Sequence, residues 1–501
     1  MQRKSHMEQE NGELTLEDAP KMSNWRKDRG NIILLTFLYV LQGIPLGLAG
    51  TIPIMLQGMG VSYKEQAVFS FVYWPFAIKL LWAPVVDSLY VRTFGRRKSW
   101  LLPSQYLIGI FMIMLSYNIS GLLEGKINVP VLTVYFFALN LLAATQDIAV
   151  DGWALTMLSK DNVGFASTCN SIGQTAGYFI AFTVFMALES ADFCNKYLRF
   201  TPSDTGIVDL AGFLYFWGIL FLVVTTLVGL LKHERQENVS QNGVFVAYKQ
   251  LYWITKLPAI RMYILGVLTA KIGFAAVDAV TGLKLIEGGI PRETIAFLAL
   301  AAVPIQVVLP AVLSHFTTGP RPLDFFLNTY PVRLMFGLVF IVVVWWTPQV
   351  GEGGNFPLYY YAIVVSLFIL HQVAVYAMFV AIMAFHAKIS DPTIGGTYMT
   401  LLNTVSNLAA QWSSTMMLWF VDPFSYYSDC EGTSDTALGC YNAPQREECF
   451  KAGGHCTTYI DGYYIEVIIT ILLGILWIWL ARPRMQRLQT LDDSAWSIPH
   501  V

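Results

Sequence analysis

Charged side chains are scarce in this chain of 501 residues. Asp, Glu, Lys and Arg make up 13% of the sequence and hydrophobic residues 55%, whereas soluble domains carry about 25% charged residues. The signs nearly balance, at a net charge of −2, so no bulk attraction to nucleic acid exists. The composition excludes a secreted enzyme, a nucleic-acid-binding protein and a disordered scaffold. It indicates a polytopic helical membrane protein.

Several motifs are also absent. The chain has no GxxxxGK[ST] phosphate-binding loop, no GxGxxG after a strand and no HExxH, so no ATP-driven engine and no zinc-protease site is expected. Residues 1–30 are polar and lack the apolar core of a cleaved signal peptide. We therefore expect a protein that is not an enzyme, that needs no cofactor or metal and whose first span stays in the membrane.

Twelve apolar runs follow, separated by charged or turn-forming clusters, and each is long enough to be a candidate membrane-spanning helix. They cover residues 31–56, 66–86, 100–119, 131–157, 166–188, 211–231, 262–283, 294–314, 333–347, 358–385, 395–421 and 463–481. The longest connection between them on the predicted cytosolic side, 232–261, divides the spans into six and six. This all-α layout is that of major facilitator transporters, whose substrate site lies between two six-helix halves.

The predicted organisation has five parts. They are an N-terminal tail (1–30), an N-terminal half (31–231), a linker (232–261), a C-terminal half (262–481) containing a cysteine-bearing loop (422–462), and a C-terminal tail (482–501). Of the 32 Lys and Arg residues, 22 fall on the side of the two tails, eight on the opposite side and two inside spans. This bias predicts that both termini are cytosolic.

Four of the six cysteines lie in the loop 422–462, on the predicted non-cytosolic side: Cys430, Cys440, Cys449 and Cys456. Disulfides persist in such an oxidising compartment, so two bridges are expected, with all three pairings open. Cys194 lies in another loop on that side and either is a free thiol or competes for one of these bridges. The alternative, a zinc site that uses these cysteines and His455, is disfavoured because no CxxC pair is present.

Ionisable residues inside spans are costly and often functional. Lys79, in span 2, is interpreted as a contact for an anionic substrate or as a lysine that reaches the interface. Lys271 and Asp278, in span 7, are seven residues apart and would share one face of a continuous helix. Lys271 is predicted to meet substrate phosphate and Asp278 to orient the substrate or take a proton. The alternative for this pair is a structural ion pair with another helix.

Asp147 and Asp151, in span 4, are four residues apart, so both carboxylates lie on one face and would repel each other without cations. Asp87 is close by in the sequence-based topology, and the nearby arginines are the expected cation source: Arg92, Arg96 and Arg97. These groups are interpreted either as a charge clasp at the cytosolic gate, which we favour, or as a proton-coupling site.

Other polar groups lie within the predicted spans. Span 10 carries His371, Gln372 and Tyr376, and four uncharged polar residues lie in spans 1, 5 and 11: Gln42, Gln174, Asn403 and Asn407. Each is a candidate substrate contact, and hydrogen bonding between helices is the structural alternative.

Five segments of the chain resemble the acetyl-coenzyme A transporter family, solute carrier family 33. They begin at Tyr39 (YVLQGIPLGLAG), Phe94 (FGRRKSW), Ala144 (ATQDIAVDGWALTML), Thr168 (TCNSIGQTAGY) and Thr397 (TYMTLLNTVSN). The resemblance implies a major facilitator fold in the endoplasmic reticulum membrane that imports acetyl-CoA for lumenal acetylation. Exchange for CoA is a further expectation, because both molecules share the charged part.

The partners implied are acetyl-CoA, CoA and the lipid bilayer, but no nucleic acid; a homodimer stays open. The segment from Asp147 to Asp151 also resembles bacterial muropeptide permeases. A proton-coupled permease for a muropeptide-like solute is therefore one alternative. A membrane-embedded acetyltransferase that uses His371 is the other.

Overall fold

A computed structural model of the chain describes residues 25–497, except 92, 124, 126, 160–161, 163–164, 235–243, 299–304, 306–308, 310–311, 314–320, 352–355, 391–394, 432–439, 441–444, 446–447, 450–451 and 453–454. In this part of the chain nearly every regular element is a helix, and one small two-stranded sheet is present. Nine of the described helices are long and apolar enough to cross a bilayer. The protein is therefore a multi-pass membrane protein, and the exact number of twelve spans stays a prediction.

The helices up to residue 231 are α1 Arg29–Gly58, α2 Tyr63–Ser70, α3 Trp74–Ile78, α4 Ala83–Ser88, α5 Lys98–Leu123, α6 Val129–Met157, α7 Phe165–Phe179, α8 Phe185–Glu189, α9 Ala191–Tyr197 and α10 Leu210–Leu231. The predicted second span is α2 to α4, which 3₁₀ turns at Phe71–Tyr73 and Lys79–Leu81 interrupt. The predicted fifth span is α7 and α8, joined by a π-helical turn at Ile180–Val184.

The later elements are α11 Val244–Lys256, α12 Pro258–Ala270, α13 Ala275–Glu287, α14 Pro322–Val350, α15 Leu358–Ile389, α16 Gly395–Phe424, β1 Tyr426–Glu431, β2 His455–Ile460 and α17 Gly462–Leu488. A 3₁₀ turn at Lys271–Phe274 separates α12 from α13. Residues 292–298 are helical, and most of the predicted span 294–314 lies outside the described residues. The predicted span 333–347 is too short, because α14 begins eleven residues before Arg333.

Helices α1 and α7 cross at close range, and glycines line the crossing. A side chain at Gly43 would collide with the backbone of Gln174, and one at Gly177 with the carbonyl oxygen of Val40. The spacings Gly43-xxx-Gly47 and Gly173-xxx-Gly177 are of the kind that lets helices approach closely, and the two motifs face each other here.

One end of the helix bundle holds both ends of the described chain, and we call it the terminal side. Asp28, just before α1, accepts hydrogen bonds from Ser159 and Asn162 after α6; these bonds hold the pKa of Asp28 below its ordinary value. The last described residues lie on the same side, because the hydroxyl of Tyr398 donates to the carbonyl of Trp496. Helix α11 joins the two regions, since Tyr248 donates to the carbonyl of Leu81.

The opposite end carries the β1–β2 hairpin and the disulfides, and we call it the disulfide side. There the backbone N–H of Lys64, in α2, donates to Asp422 at the end of α16 (3.1 Å). Arg292 forms an ion pair with Glu189 at the end of α8 (3.1 Å). These contacts join residues before 231 to residues after 258, so the disulfide side is closed in this structure.

Candidate substrate site and gate

Lys79 and Asp147 form a buried ion pair in the middle of the helices. The side chain of Asp147 is 5% exposed, and its second oxygen accepts a hydrogen bond from Gln42 of α1. Lys79 lies at the first residue of a 3₁₀ turn, which directs it towards α6. The alternative of a lysine that reaches the interface is therefore wrong. The charge of Lys79 is neutralised within the protein in this conformation.

Asp151 lies one turn further along α6 and is held by neutral donors. The hydroxyl of Tyr39 donates to it at 2.7 Å and the amide of Asn170 at 3.1 Å. Asp147 and Asp151 thus face α1 and α7, as the four-residue spacing predicts. The expected cation source is wrong, because the cation beside Asp147 is Lys79 and not an arginine.

The predicted arginines act at the terminal side. Arg97 pairs with Asp87, and Arg96 donates to the Asp87 backbone carbonyl at 2.7 Å. The guanidinium of Arg97 also lies directly against Gly152, where a side chain would collide with it. Arg92 lies outside the described residues. Arg97 and Asp87 therefore form a clasp beside the end of α6, separate from the Lys79–Asp147 pair.

A second charged cluster joins α13, α14 and α15. Arg333 forms an ion pair with Asp278 at 2.6 Å, and Nε2 of His371 lies 3.9 Å from the same carboxylate. Arg333 is 7% exposed and Asp278 32%, so the carboxylate is the accessible part of the pair. The ring of His371 packs edge-on against Phe340.

The sequence interpretation missed Arg333, because its span was predicted to begin at that residue. The mostly apolar and uncharged run from Phe325 to Val332, in which Asn328 and Thr329 are the polar residues, is the signal that could have placed Arg333 inside the helix. The structural alternative for Asp278, an ion pair with another helix, is the arrangement observed.

Lys271 lies at the first residue of the 3₁₀ turn between α12 and α13. The assumption of one continuous helix through Lys271 and Asp278 is therefore wrong, and Asp278 pairs with Arg333 instead. Within the described residues, the half-buried ammonium of Lys271 has no hydrogen bond and no ion pair. Both lysines predicted inside spans thus begin 3₁₀ turns, but only Lys79 has a counter-ion.

The uncharged candidates divide between helix contacts and accessible positions. Gln42 bonds Asp147, and Asn403 bonds Nδ1 of the buried His386 at 3.0 Å. These two match the structural alternative of hydrogen bonds between helices. The remaining candidates are at least partly accessible: Gln174, Gln372, Tyr376 and Asn407.

The four loop cysteines form two disulfides, Cys430–Cys449 and Cys440–Cys456. Cys430 and Cys456 are also paired residues of the antiparallel β1–β2 hairpin. Zinc is bound by cysteine thiolates. The sulfurs of all four loop cysteines are in disulfide bridges and are therefore not thiolates. Cys194 is a buried free thiol and does not compete for a bridge.

The arrangement of the described helices is the major facilitator fold. The nucleoside transporter NupG has a similar structure, with a TM-score of 0.60 and 11% identity over 92% of this chain and 99% of that one. The model of the family described as acetyl-coenzyme A transporter 1 matches residues 31–244, 233–326 and 323–498. The chain belongs to this family, whose members are transporters and not enzymes.

Two curated relatives illustrate how far the similarity extends. An uncharacterised protein of Schizosaccharomyces pombe is 34% identical over 475 residues, which is 94% of this chain and 89% of that protein. The anhydromuropeptide permease of Escherichia coli is 26% identical over 149 residues, which is 30% of this chain and 29% of the permease.

Proposed function

We propose that this transporter moves acetyl-CoA from the cytosol into the lumen of the endoplasmic reticulum, in exchange for CoA. The family description supports this substrate. Acetyl-CoA carries phosphate groups that cannot cross hydrocarbon unaided, because an unpaired charge there is very costly. The carrier must therefore offer cations inside the membrane.

The observation that carries the proposal is the ammonium of Lys271, which has no hydrogen bond or ion pair in the described part of the chain. An intramembrane cation without a partner is a binding-site candidate by default. The 3₁₀ turn Lys271–Phe274 interrupts the helix at this lysine, and transporter substrate sites are typically formed by discontinuous helices. Lys271 is thus our first candidate for a phosphate contact, with Asp278, Arg333 and His371 beside it as groups that orient the substrate.

The Lys79–Asp147 pair is proposed to couple binding to movement. A phosphate that reaches Lys79 competes with Asp147 for the same ammonium, and the released carboxylate keeps its bond to Gln42. Such a ligand stabilises the conformation in which the pair is broken, and a ligand shifts conformations only through such a difference. The Arg97–Asp87 clasp is proposed to close the terminal side.

The direction of transport depends on which side faces the cytosol. We assign the terminal side to the cytosol, because the predicted topology has 22 of the 32 Lys and Arg residues on that side, or 21 once Arg333 is placed inside α14, against eight on the opposite side. The disulfide side is then the lumen, where bridges persist. The acetyl groups delivered there would supply lumenal acetylation.

A ligand screen on the purified protein tests the substrate. Acetyl-CoA at a hundred times its dissociation constant should stabilise the folded state by about 2.7 kcal/mol, CoA should also stabilise it, and nucleotides should do so less. Lys271→Ala should lose most of this shift, whereas Lys196→Ala, which removes an exposed lysine, should keep it. No shift with acetyl-CoA or CoA would contradict the assignment.

A proton-coupled permease for a muropeptide-like solute is the second candidate. The partial similarity to the anhydromuropeptide permease favours it, as does Asp151, whose bonds come from the neutral donors Tyr39 and Asn170. This candidate predicts that an anhydromuropeptide stabilises the protein and accumulates in liposomes under a pH gradient. Stabilisation by acetyl-CoA and not by the muropeptide would exclude it.

A further inference from the structure

Glu466 is a buried carboxyl group that the substrate site does not use. It lies one turn into α17, near the disulfide side, and is 2% exposed. Neither of its side-chain oxygens has a hydrogen-bond partner among the described residues. A buried polar group without a partner is rare in folded proteins and calls for an explanation.

The charged groups around Glu466 come from each helix end packed at this point. Lys284 belongs to α13, Asp422 to α16, and Asp461 precedes α17. Both described charged residues of α14 are engaged elsewhere, since Arg333 pairs with Asp278 and Asp324 binds Gln489. Among the described residues, Lys284 is thus the cation whose charge acts on Glu466.

Lys284 is already committed to other partners. It pairs with Asp461 and, at 2.9 Å, with Glu287. Glu287 in turn accepts a hydrogen bond from the hydroxyl of Tyr63 at 2.7 Å, and the Lys284 ammonium lies 4.7 Å from the Tyr63 ring centre. We call these four residues, Tyr63, Lys284, Glu287 and Asp461, the disulfide-side latch. It ties α2 to α13 and α17.

Among the described residues, an ionised carboxylate at Glu466 would therefore have no hydrogen-bond donor and no cation of its own. The effective cost of burying such an ion is several kcal/mol, whereas a protonated carboxyl is neutral and can stay in an apolar setting at a lower cost. The closed disulfide side thus favours the protonated form. Separation of Tyr63 from Glu287 would open the latch and admit water, which solvates the ionised form.

We propose that Glu466 is a proton-binding site that holds one proton while the disulfide side is closed and releases it to water on that side when the latch opens. In this step the carboxylic O–H bond breaks, the proton passes to water, and the carboxylate remains in the hydrated opening. Opening is thus favoured by high pH on the disulfide side. The proposal needs a protein that alternates between two conformations and does not depend on the substrate.

Distance measurements without any substrate test it. Spin labels at Met59→Cys and Tyr359→Cys, two exposed positions at the disulfide side, report opening in lipid nanodiscs between about pH 5 and about pH 9. The population with the longer distance should rise several-fold with pH in the otherwise unaltered protein. Glu466→Gln, which mimics the protonated form, should stay closed at every pH.

Asp192→Asn is the matched control, because it removes an exposed acid on the same side, outside the latch. It should leave the pH response intact. A pH response that survives in Glu466→Gln, or its absence from the unaltered protein, would overturn the proposal. If Glu466→Gln does not fold, infrared spectroscopy of the unaltered protein tests the proposal instead. A protonated-carboxyl band from glutamate must be present in the closed state and must decrease as rising pH opens the disulfide side.

Discussion

Lys79 and Lys271 are alike in sequence but differ in their surroundings. Lys79 forms an ion pair with the buried Asp147, which also accepts a hydrogen bond from Gln42. Lys271 has no such partner in the described part of the molecule. A ligand must therefore break the Lys79–Asp147 pair to reach Lys79, whereas it can contact Lys271 directly. A loss of either lysine should have different consequences.

Asp147→Asn tests the structural role of the pair. It leaves the Lys79 ammonium buried without a counter-ion, and removal of one partner of a buried ion pair costs about 3–5 kcal/mol. Thermal unfolding in detergent should show a clear loss of stability. The double variant Lys79→Met/Asp147→Leu should recover most of it, because neither charge of the pair then remains buried.

The control for this series is Asp192→Asn, an exposed aspartate whose loss should leave the unfolding temperature unchanged. A double variant as unstable as Asp147→Asn alone would show that packing, and not the unpaired lysine, sets the loss.

Residue-level prediction from the sequence succeeded for the spacing of Asp147 and Asp151 and failed for their partners. The spacing follows from helix geometry alone, whereas the partner of Asp147 comes from a helix some 70 residues earlier. Arg333 and Glu466 were not singled out. Each was assigned to, or lies close to, a predicted span boundary, and hydropathy locates boundaries only approximately.

At the scale of elements, the glycine crossing of α1 and α7 is the packing feature that the sequence predicted most directly. Gly177→Ala places a methyl group against the Val40 carbonyl and the Gly43 backbone. Overpacking of this kind costs about 1–3 kcal/mol. The unfolding temperature should fall, and transport should fall with it if the crossing moves as one body.

Gly121→Ala is the matched control, because nothing lies within 4 Å of a methyl group built there. It should leave stability unchanged or raise it slightly, since alanine is the better helix residue. Equal losses in both variants would contradict the assigned crossing.

The disulfide hairpin makes a prediction about chemistry. Alkylation of the denatured, unreduced protein should modify two cysteines, Cys169 and Cys194, and alkylation after reduction should modify all six. Peptide mass spectrometry should find the linked pairs Cys430–Cys449 and Cys440–Cys456. Linked peptides with either other pairing would contradict this hairpin.

Removal of one bridge by Cys440→Ser/Cys456→Ser should lower stability, by about 2–4 kcal/mol in typical cases. The sequence alone predicted the bridges but left their pairing open. The pairing depends on the fold of the loop, in which Cys430 and Cys456 lie opposite each other in the hairpin and each is bridged to a cysteine between the strands.

Hydropathy did not locate the breaks in the long helices. Hydropathy averages over a window of roughly 19 residues, so a 3₁₀ turn of three or four residues leaves no trace in it. Lys79 and Lys271 begin two of these turns. The sequence therefore identified both lysines, but it wrongly placed Lys271 and Asp278 on one face of a continuous helix.

At the scale of the whole molecule, composition and apolar periodicity were enough to predict a major facilitator transporter, because the bilayer sets helix length and the charge bias sets orientation. The family similarity over almost the whole chain agrees with that fold. The closed disulfide side could not be predicted, since it depends on contacts such as Tyr63–Glu287, which join residues more than 200 positions apart.

We propose that this protein carries acetyl-CoA across the membrane by means of Lys271. The most direct test is the initial rate of labelled acetyl-CoA uptake into liposomes that contain the purified protein and are preloaded with CoA. We expect uptake well above that of protein-free liposomes, faster with internal CoA than without it, and at least about tenfold slower for Lys271→Ala, since a charge-assisted hydrogen bond contributes about 1.5–3 kcal/mol. Uptake equal to that of protein-free liposomes would contradict the transport claim, and an unchanged rate in Lys271→Ala would remove this lysine from the site.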